Sequence, residues 1–282
     1  MLIPEMAGVA ERAKAPRGDM PLDRHTAQSA RDEAHELIAT LERDTARSTD
    51  LSLRYAQVRL TRHGQAEQEP PILAEASAEF DGRRIRAQIA AATAPEAIDI
   101  LDRVLRHRIS RLARHWDAGL DRQFASAQHV WRHNAEETHR PHYLARPIHE
   151  RKMLRHKTFE LELCTANEAI EDMELMGYPF QLFKGLETGQ DSVVYRDGPK
   201  GYRLAQVEQR NGRSWGRRPA LTVSPRPAVR MSLAEATESL NLTAGPFVFY
   251  AEALTGRGRV LYRRYDGHYG LITPAGAGLG PG

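Results

Sequence analysis

From Arg103 to Trp116 the chain carries Arg103, Arg106, Arg108, Arg111 and Arg114 with His107 and His115, and no carboxylate. A charge run on a helix is ordinarily a solvated face balanced by acids at i±4, and within this stretch that balance is missing. Arginine suits phosphate, because its planar fork bonds two oxygens at once and also stacks on an exposed base. Arg84 and Arg86 sit on a neighbouring predicted strand, and Arg59, Arg62 and His63 in and after an earlier one, so all are expected on one phosphate-binding surface. About six to eight such contacts make binding strongly salt-dependent and nearly indifferent to sequence, which favours structured RNA read by shape.

Other chemistry has little support. Cys164 is the single cysteine and is expected to be a small buried hydrophobe; it excludes an intrachain disulfide framework and suits a reducing compartment. No serine sits in GxSxG, and no Walker or Rossmann glycine pattern occurs. His35-Glu36 begins like a zincin helix, but Ala39 stands where the second ligand belongs. His129, His133, His139, His142 and His149 lack any spacing that fixes a metal geometry. No enzyme, cofactor or metal is expected. Lys plus Arg number 40 against 37 acids, so the basic character lies in the distribution of charge and not in its sum. No stretch approaches the roughly 20 apolar residues of a membrane span, and no secretory leader is evident, so a cytoplasmic location is expected.

The elements that must position the arginines follow from periodicity. Ala30, Ala34, Leu37, Ile38 and Leu41 recur at helical spacing from Thr26, with an end near Arg47. Three alternating stretches then predict strands, around Ala56 to Leu60, Ala74 to Phe80 and Ile85 to Ile89, the last two joined by Asp81-Gly82. A second helix opens after Thr93-Ala94-Pro95 and carries an apolar stripe from Ala97 to Trp116. The fold class expected is α+β: an N-terminal βαβββα sandwich with two helices on one face of a mostly antiparallel sheet. Its first strand has only a weak candidate in Met6 to Lys14.

Beyond Lys157 the chain repeats itself at an offset of 67 residues. Glu168 matches Glu235, Pro179-Phe180 matches Pro246-Phe247, Thr188-Gly189 matches Thr255-Gly256, and Tyr195-Arg196 matches Tyr262-Arg263. Over positions 168–204 there are 13 identities, where composition alone predicts about two. Each copy reads as a short helix followed by three strands, and the first has an additional leading strand at Phe159, Leu161 and Leu163. The aromatic positions suit either base stacking on a sheet or core packing, and core packing is favoured. A unit of about 50 residues buries too little to stand comfortably alone. Two tandem small α+β modules are therefore expected to pair face to face through Phe180, Phe183, Val193 and Tyr195 against Phe247, Phe249, Val260 and Tyr262, within the chain or with another copy.

Leu60-Thr61-Arg62-His63, Asp81-Gly82-Arg83-Arg84-Ile85-Arg86, Leu112-Ala113-Arg114-His115-Trp116, Arg155-His156-Lys157-Thr158-Phe159 and Met173-Glu174-Leu175-Met176-Gly177-Tyr178-Pro179-Phe180 together resemble the ribosome hibernation-promoting factor family, in its long actinobacterial form. Tyr262-Arg263-Arg264-Tyr265-Asp266-Gly267 in the second copy is similar to the same pattern. The resemblance implies a domain in the small-subunit channel where messenger and the A- and P-site transfer RNAs bind. Its basic residues contact 16S ribosomal RNA of the decoding region, translation stops, and the idle 70S ribosome is preserved under starvation, hypoxia or dormancy. The role carries over to Arg103, Arg106, His107, Arg108, Arg111 and Arg114, and less directly to Arg84, Arg86, Arg59 and Arg62. Long-form relatives carry one C-terminal module and pair ribosomes with it. A doubled module predicts a chain that satisfies that surface internally and holds single ribosomes.

The organisation expected is a ribosome-binding domain over 1–118, a polar linker over 119–152 with at most a short helix at Arg122 to Arg132, and the first module over 153–208. A basic linker over 209–225, the second module over 226–275 and a tail over 276–282 complete it. The alternatives are a protein-interaction scaffold and an RNA-binding regulator acting off the ribosome.

Overall fold

The computed structural model describes residues 19–20, 24–49, 51–63, 72–119, 146–198, 201–208, 221–243, 245–264 and 266–276. Met6 to Lys14 and Arg122 to Arg132, where a first strand and a short helix were expected, lie outside them. The chain forms two compact units, one built on residues before His142 and the other from Tyr143 onward, with Glu174–Gly177 grouped with the first.

The first unit runs β1 (Asp19–Met20), α1 (Arg24–Ser48), β2 (Leu53–His63), β3 (Ile72–Phe80), β4 (Arg83–Ala91) and α2 (Ala94–Gly119). The four strands lie in chain order in one antiparallel sheet. The described residues of β1 pair Asp19 with His63 and Met20 with Arg62. The β3–β4 hairpin turns through Asp81 and Gly82, both at positive φ (45° and 84°), the conformation an Asp-Gly hairpin turn requires. Alternation puts Ala74, Ala76, Ala78 and Phe80, with Ile85, Ala87 and Ile89, on one sheet face. These residues share a single core with Ala34, Leu37, Ile38 and Leu41 of α1 and Leu101, Val104, Leu105 and Ile109 of α2. Both helices therefore cover the same face. Glu96 N–H donates to Thr93 Oγ1 (3.4 Å), capping the start of α2.

The second unit contains the repeat. A 3₁₀ turn at Ile148–Glu150 leads into β5 (Met153–Phe159), β6 (Leu163–Cys164), α3 (Ala166–Leu175), β7 (Phe180–Gly185), β8 (Asp191–Asp197) and β9 (Gly201–Gln206). The second copy supplies β10 (Leu221–Val223), β11 (Arg230–Met231), α4 (Leu233–Leu242), β12 (Phe247–Glu252), β13 (Gly258–Arg263) and β14 (Tyr269–Pro274). The identities between the copies mark positions with a structural task. Thr165 with Glu168, and Ser232 with Glu235, form the same reciprocal bonds at the two helix starts, Glu168 N–H and Glu235 N–H each donating to the hydroxyl at 3.3 Å. Gly189 and Gly256 turn the hairpins at φ 67° and 68°.

The strand order departs from two self-contained modules. One sheet runs β10-β9-β8-β7-β6 and the other β11-β12-β13-β14-β5. Leading strand β5 precedes the first copy but pairs in parallel with β14 of the second, and β10 precedes the second copy but pairs in parallel with β9 of the first. The copies exchange strands reciprocally. A leading strand is therefore not peculiar to the first copy: β5 and β10 occupy corresponding places, and Leu221–Val223 falls inside the segment expected to be a basic linker. Three residues with no alternating pattern and a distant partner leave no periodic signal.

Between the sheets lies an apolar cluster of Phe180, Leu182, Val193 and Val260 with Tyr195, Phe247, Phe249 and Tyr262. The Phe180 and Phe247 rings are 4.6 Å apart, and Tyr195 meets Phe247 edge-on at 5.4 Å. Phe183 is placed elsewhere: it faces α3, in a core with Ala169, Ile170 and Met173. Its neighbour Leu182 takes the inter-sheet position, since successive side chains of a strand point to opposite faces.

Phe180→Ala is expected to lower the stability of this unit by about 3–5 kcal/mol, whereas Leu254→Ala, at a site 85% exposed, changes it by less than about 0.5 kcal/mol. Peptide-resolved hydrogen exchange of β7, β8, β12 and β13 measures this, and equal effects of the two would contradict the shared core. A pH prediction comes from His268, whose Nδ1 accepts from Lys152 N–H at 3.0 Å. Burial holds its pKa below the ordinary imidazole range, with the nearby Arg146 guanidinium acting in the same direction. The ring is neutral in the fold, so its contribution is complete above the unfolded value of about 6.5 and is lost as pH falls toward the lower folded value. Denaturant midpoints of this unit should fall across that window, and His268→Asn should flatten the fall.

Candidate nucleic-acid interface

Helix α2 presents its arginines unevenly. Leu101, Val104, Leu105, Ile109 and Leu112 face the sheet, so Arg103 and His107 stand on the exposed side and Arg106 is half-buried beside them. Arg103 Nε donates to the carbonyl of Asp99 (3.4 Å), one turn earlier. Arg106 Nε donates to both carboxylate oxygens of Asp102 at 2.8 Å, and its Nη1 donates to Asp44 on α1. The hydrogen bonds from Arg106 hold the Asp44 carboxyl below the usual carboxylate range, and those to Asp102 and Asp44 raise the guanidinium further. The acid balance expected to be missing is therefore present for Arg106. Asp102 lies just before the acid-free stretch, at i−4, and Asp44 arrives from another helix.

Arg108 and Arg111 point inward and are 4% and 7% exposed. Arg108 donates to the main-chain carbonyl of Arg86 on β4, an edge strand of the sheet, and so ties the helix to that strand. Arg111 pairs with Glu174, one of the four residues grouped with this unit, at 3.4 Å. Both hold the fold together. Arg114 lies in the last turns of α2, whose side chains are outside the described residues.

The strand arginines do not join the helix. Arg84 and Arg86 alternate with the buried Ile85 and Ala87, which puts them on the sheet face opposite the helices. There Arg84 pairs with Glu79 (3.2 Å) and Arg86 with Glu75 (2.9 Å), while Arg59 lies across from Glu75 in the β2–β3 register. Arg62 is half-buried beside β1. The single surface expected from the sequence thus resolves into two: a helix side bearing Arg103, Arg106 and His107, and a sheet face on which arginines and glutamates alternate.

Among the described residues no group of three His, Cys, Asp or Glu side chains could hold a metal ion, and no helix is long and apolar enough to cross a membrane. His149, the one candidate metal histidine among the described residues, sits in the exposed 3₁₀ turn beside Glu150 (3.8 Å).

Residues 149–204 and 223–271 match the family described as Sigma 54 modulation/S30EA ribosomal protein C terminus. The family thus matches twice, once on each copy of the repeat. Proteins called dormancy associated translation inhibitor in two strains of Mycobacterium tuberculosis, CDC 1551 / Oshkosh and ATCC 25618 / H37Rv, are each 38% identical to the chain over 170 residues, 58% of this chain and 62% of theirs. The chain spans just under two thirds of the length of these relatives.

Cys164 is 5% exposed in the α3 core, and burial, with nearby acids such as Glu162 adding to it, pushes its thiol up to about 12. A thiol so protonated is a poor nucleophile. In the native protein it should react with a thiol reagent at pH 8 at least about 100-fold more slowly than after unfolding. Equal rates would place a reactive thiol here.

Proposed function

We propose that the chain is a long-form hibernation-promoting factor of the actinobacterial type, and that it binds the small ribosomal subunit through its N-terminal unit and arrests translation. The target is 16S ribosomal RNA of the decoding region, where the unit occludes the channel for messenger and for A- and P-site transfer RNA. Idle 70S ribosomes are thereby preserved under stress, in the cytoplasm. The observation that carries this reading is the helix side of the N-terminal unit, where Arg103, Arg106 and His107 stand together on one rigid, sheet-backed helix.

Arg103 and His107 make the direct approach to phosphate, and Arg106, anchored by Asp44 and Asp102, is held where its remaining donors meet RNA. Arg108 and Arg111 act by holding the helix, and Arg114 extends the same charge run toward its end. Arg84, Arg86, Arg59 and Arg62 belong to a second surface, on the other face of the sheet, where glutamates are interleaved among the arginines. The two modules close on each other through the aromatic cluster. That closure supports single 70S particles as the product.

Co-sedimentation with small subunits across a salt series tests the reading. Arg103→Glu with His107→Glu is expected to weaken binding about 10-fold or more at fixed salt and to lower the slope of log affinity against log salt by about 1–2. Arg84→Glu should change both much less. Retention indifferent to salt and to the helix variant would instead favour a protein-interaction scaffold.

A further inference from the structure

The two copies are related by their sequence offset, and the positions where they differ meet each other. Asp191 opens β8 and Gly258, its counterpart, opens β13. A Cβ on Gly258 would lie 2.8 Å from Asp191 Cβ and 2.9 Å from Phe249 Cε2, so the two positions face each other across the pair. The Asp191 side chain, 6% exposed, accepts from Gly258 N–H (2.8 Å) and from Arg257 Nε (2.7 Å) and Nη2 (3.2 Å). The residue corresponding to Arg257 in the first copy is Gln190. Volumes divide in the same way: Leu182 and Ala205 of the first copy stand where the second has Phe249 and Ile272, all four in the inter-sheet cluster.

We propose that the two copies are a heterotypic pair, locked by Asp191 against Arg257 and Gly258, and that neither copy's pairing face accepts a second copy of itself. Two first copies brought together in the same geometry place two Cβ atoms inside contact distance. They also bury two carboxylates face to face with no arginine, which is strongly unfavourable. Two second copies would crowd two Phe249 and two Ile272 side chains into that cluster and leave two Arg257 side chains without Asp191. Only the mixed pair satisfies charge and volume together. The partner this surface fits is therefore the other half of the same chain, and the exchange of β5 and β10 adds main-chain bonds to the same pairing. This deepens the single-ribosome reading above and rests on it for its meaning in the cell, but the lock itself is tested without ribosomes.

The test is sedimentation equilibrium of the full chain together with hydrogen exchange of β8 and β13. The wild type should remain a 31.7 kDa monomer across the micromolar range. Gly258→Asp, which sets a second carboxylate against the first, should raise amide exchange in both strands at least about 10-fold. The exchanged arrangement, Gln190→Arg, Asp191→Gly, Arg257→Gln and Gly258→Asp together, moves the lock to the other copy and should bring exchange back to within about threefold of wild type. Self-association of the wild type into dimers, an unchanged Gly258→Asp chain, or a four-residue exchange no better protected than Gly258→Asp would each overturn the proposal.

Discussion

A module of about 50 residues buries little apolar surface by itself and is marginal alone, and the C-terminal unit answers that constraint by sharing one core between two sheets. Phe180, Val193 and Val260 are almost fully withdrawn from water only because the other copy covers them. The strand exchange belongs to the same solution. Each leading strand completes the sheet of the opposite copy, so the pair is joined by backbone hydrogen bonds as well as by aromatic rings. Where a buried carboxylate enters this interface, at Asp191, it is met by a guanidinium and a backbone amide, the condition for tolerating charge in an apolar setting.

The N-terminal unit divides its arginines between structure and exposure. A helix backed by a sheet offers one face to solvent, so of its arginine run only the residues off the apolar stripe stand outward. Arg108 ties the helix to β4, Arg106 is braced between two aspartates, and Arg103 with His107 is left at the surface. Bracing fixes a guanidinium without cancelling its remaining donors, so a rigid surface presents them with little entropy left to lose on binding.

Much of this was legible in the residues. Alternation placed β2, β3 and β4, Asp81-Gly82 placed their hairpin, and the repeat placed both modules because the matched residues carry structural tasks: caps at Glu168 and Glu235, turns at Gly189 and Gly256, core at Leu204 and Leu271. Contacts distant in sequence were not legible. The brace from Asp44 to Arg106 joins two helices, and the strands β5 and β10 pair with the copy they do not precede. The placement of Arg84 and Arg86 opposite the helices was implicit in the alternation of Ile85 and Ala87. A strand next to α2 presents only alternate residues to it, and Arg84 and Arg86 are the others. Phe183 has the aromatic type of a pairing residue, but parity along β7 gives that place to Leu182.

If the doubled module closes on itself, its pairing face is not available to join one ribosome to another. Sucrose-gradient sedimentation of 70S ribosomes with saturating protein reads this directly. The account predicts that the protein co-migrates with a single-ribosome peak and that no heavier species accumulates. A dominant peak of paired ribosomes would contradict it.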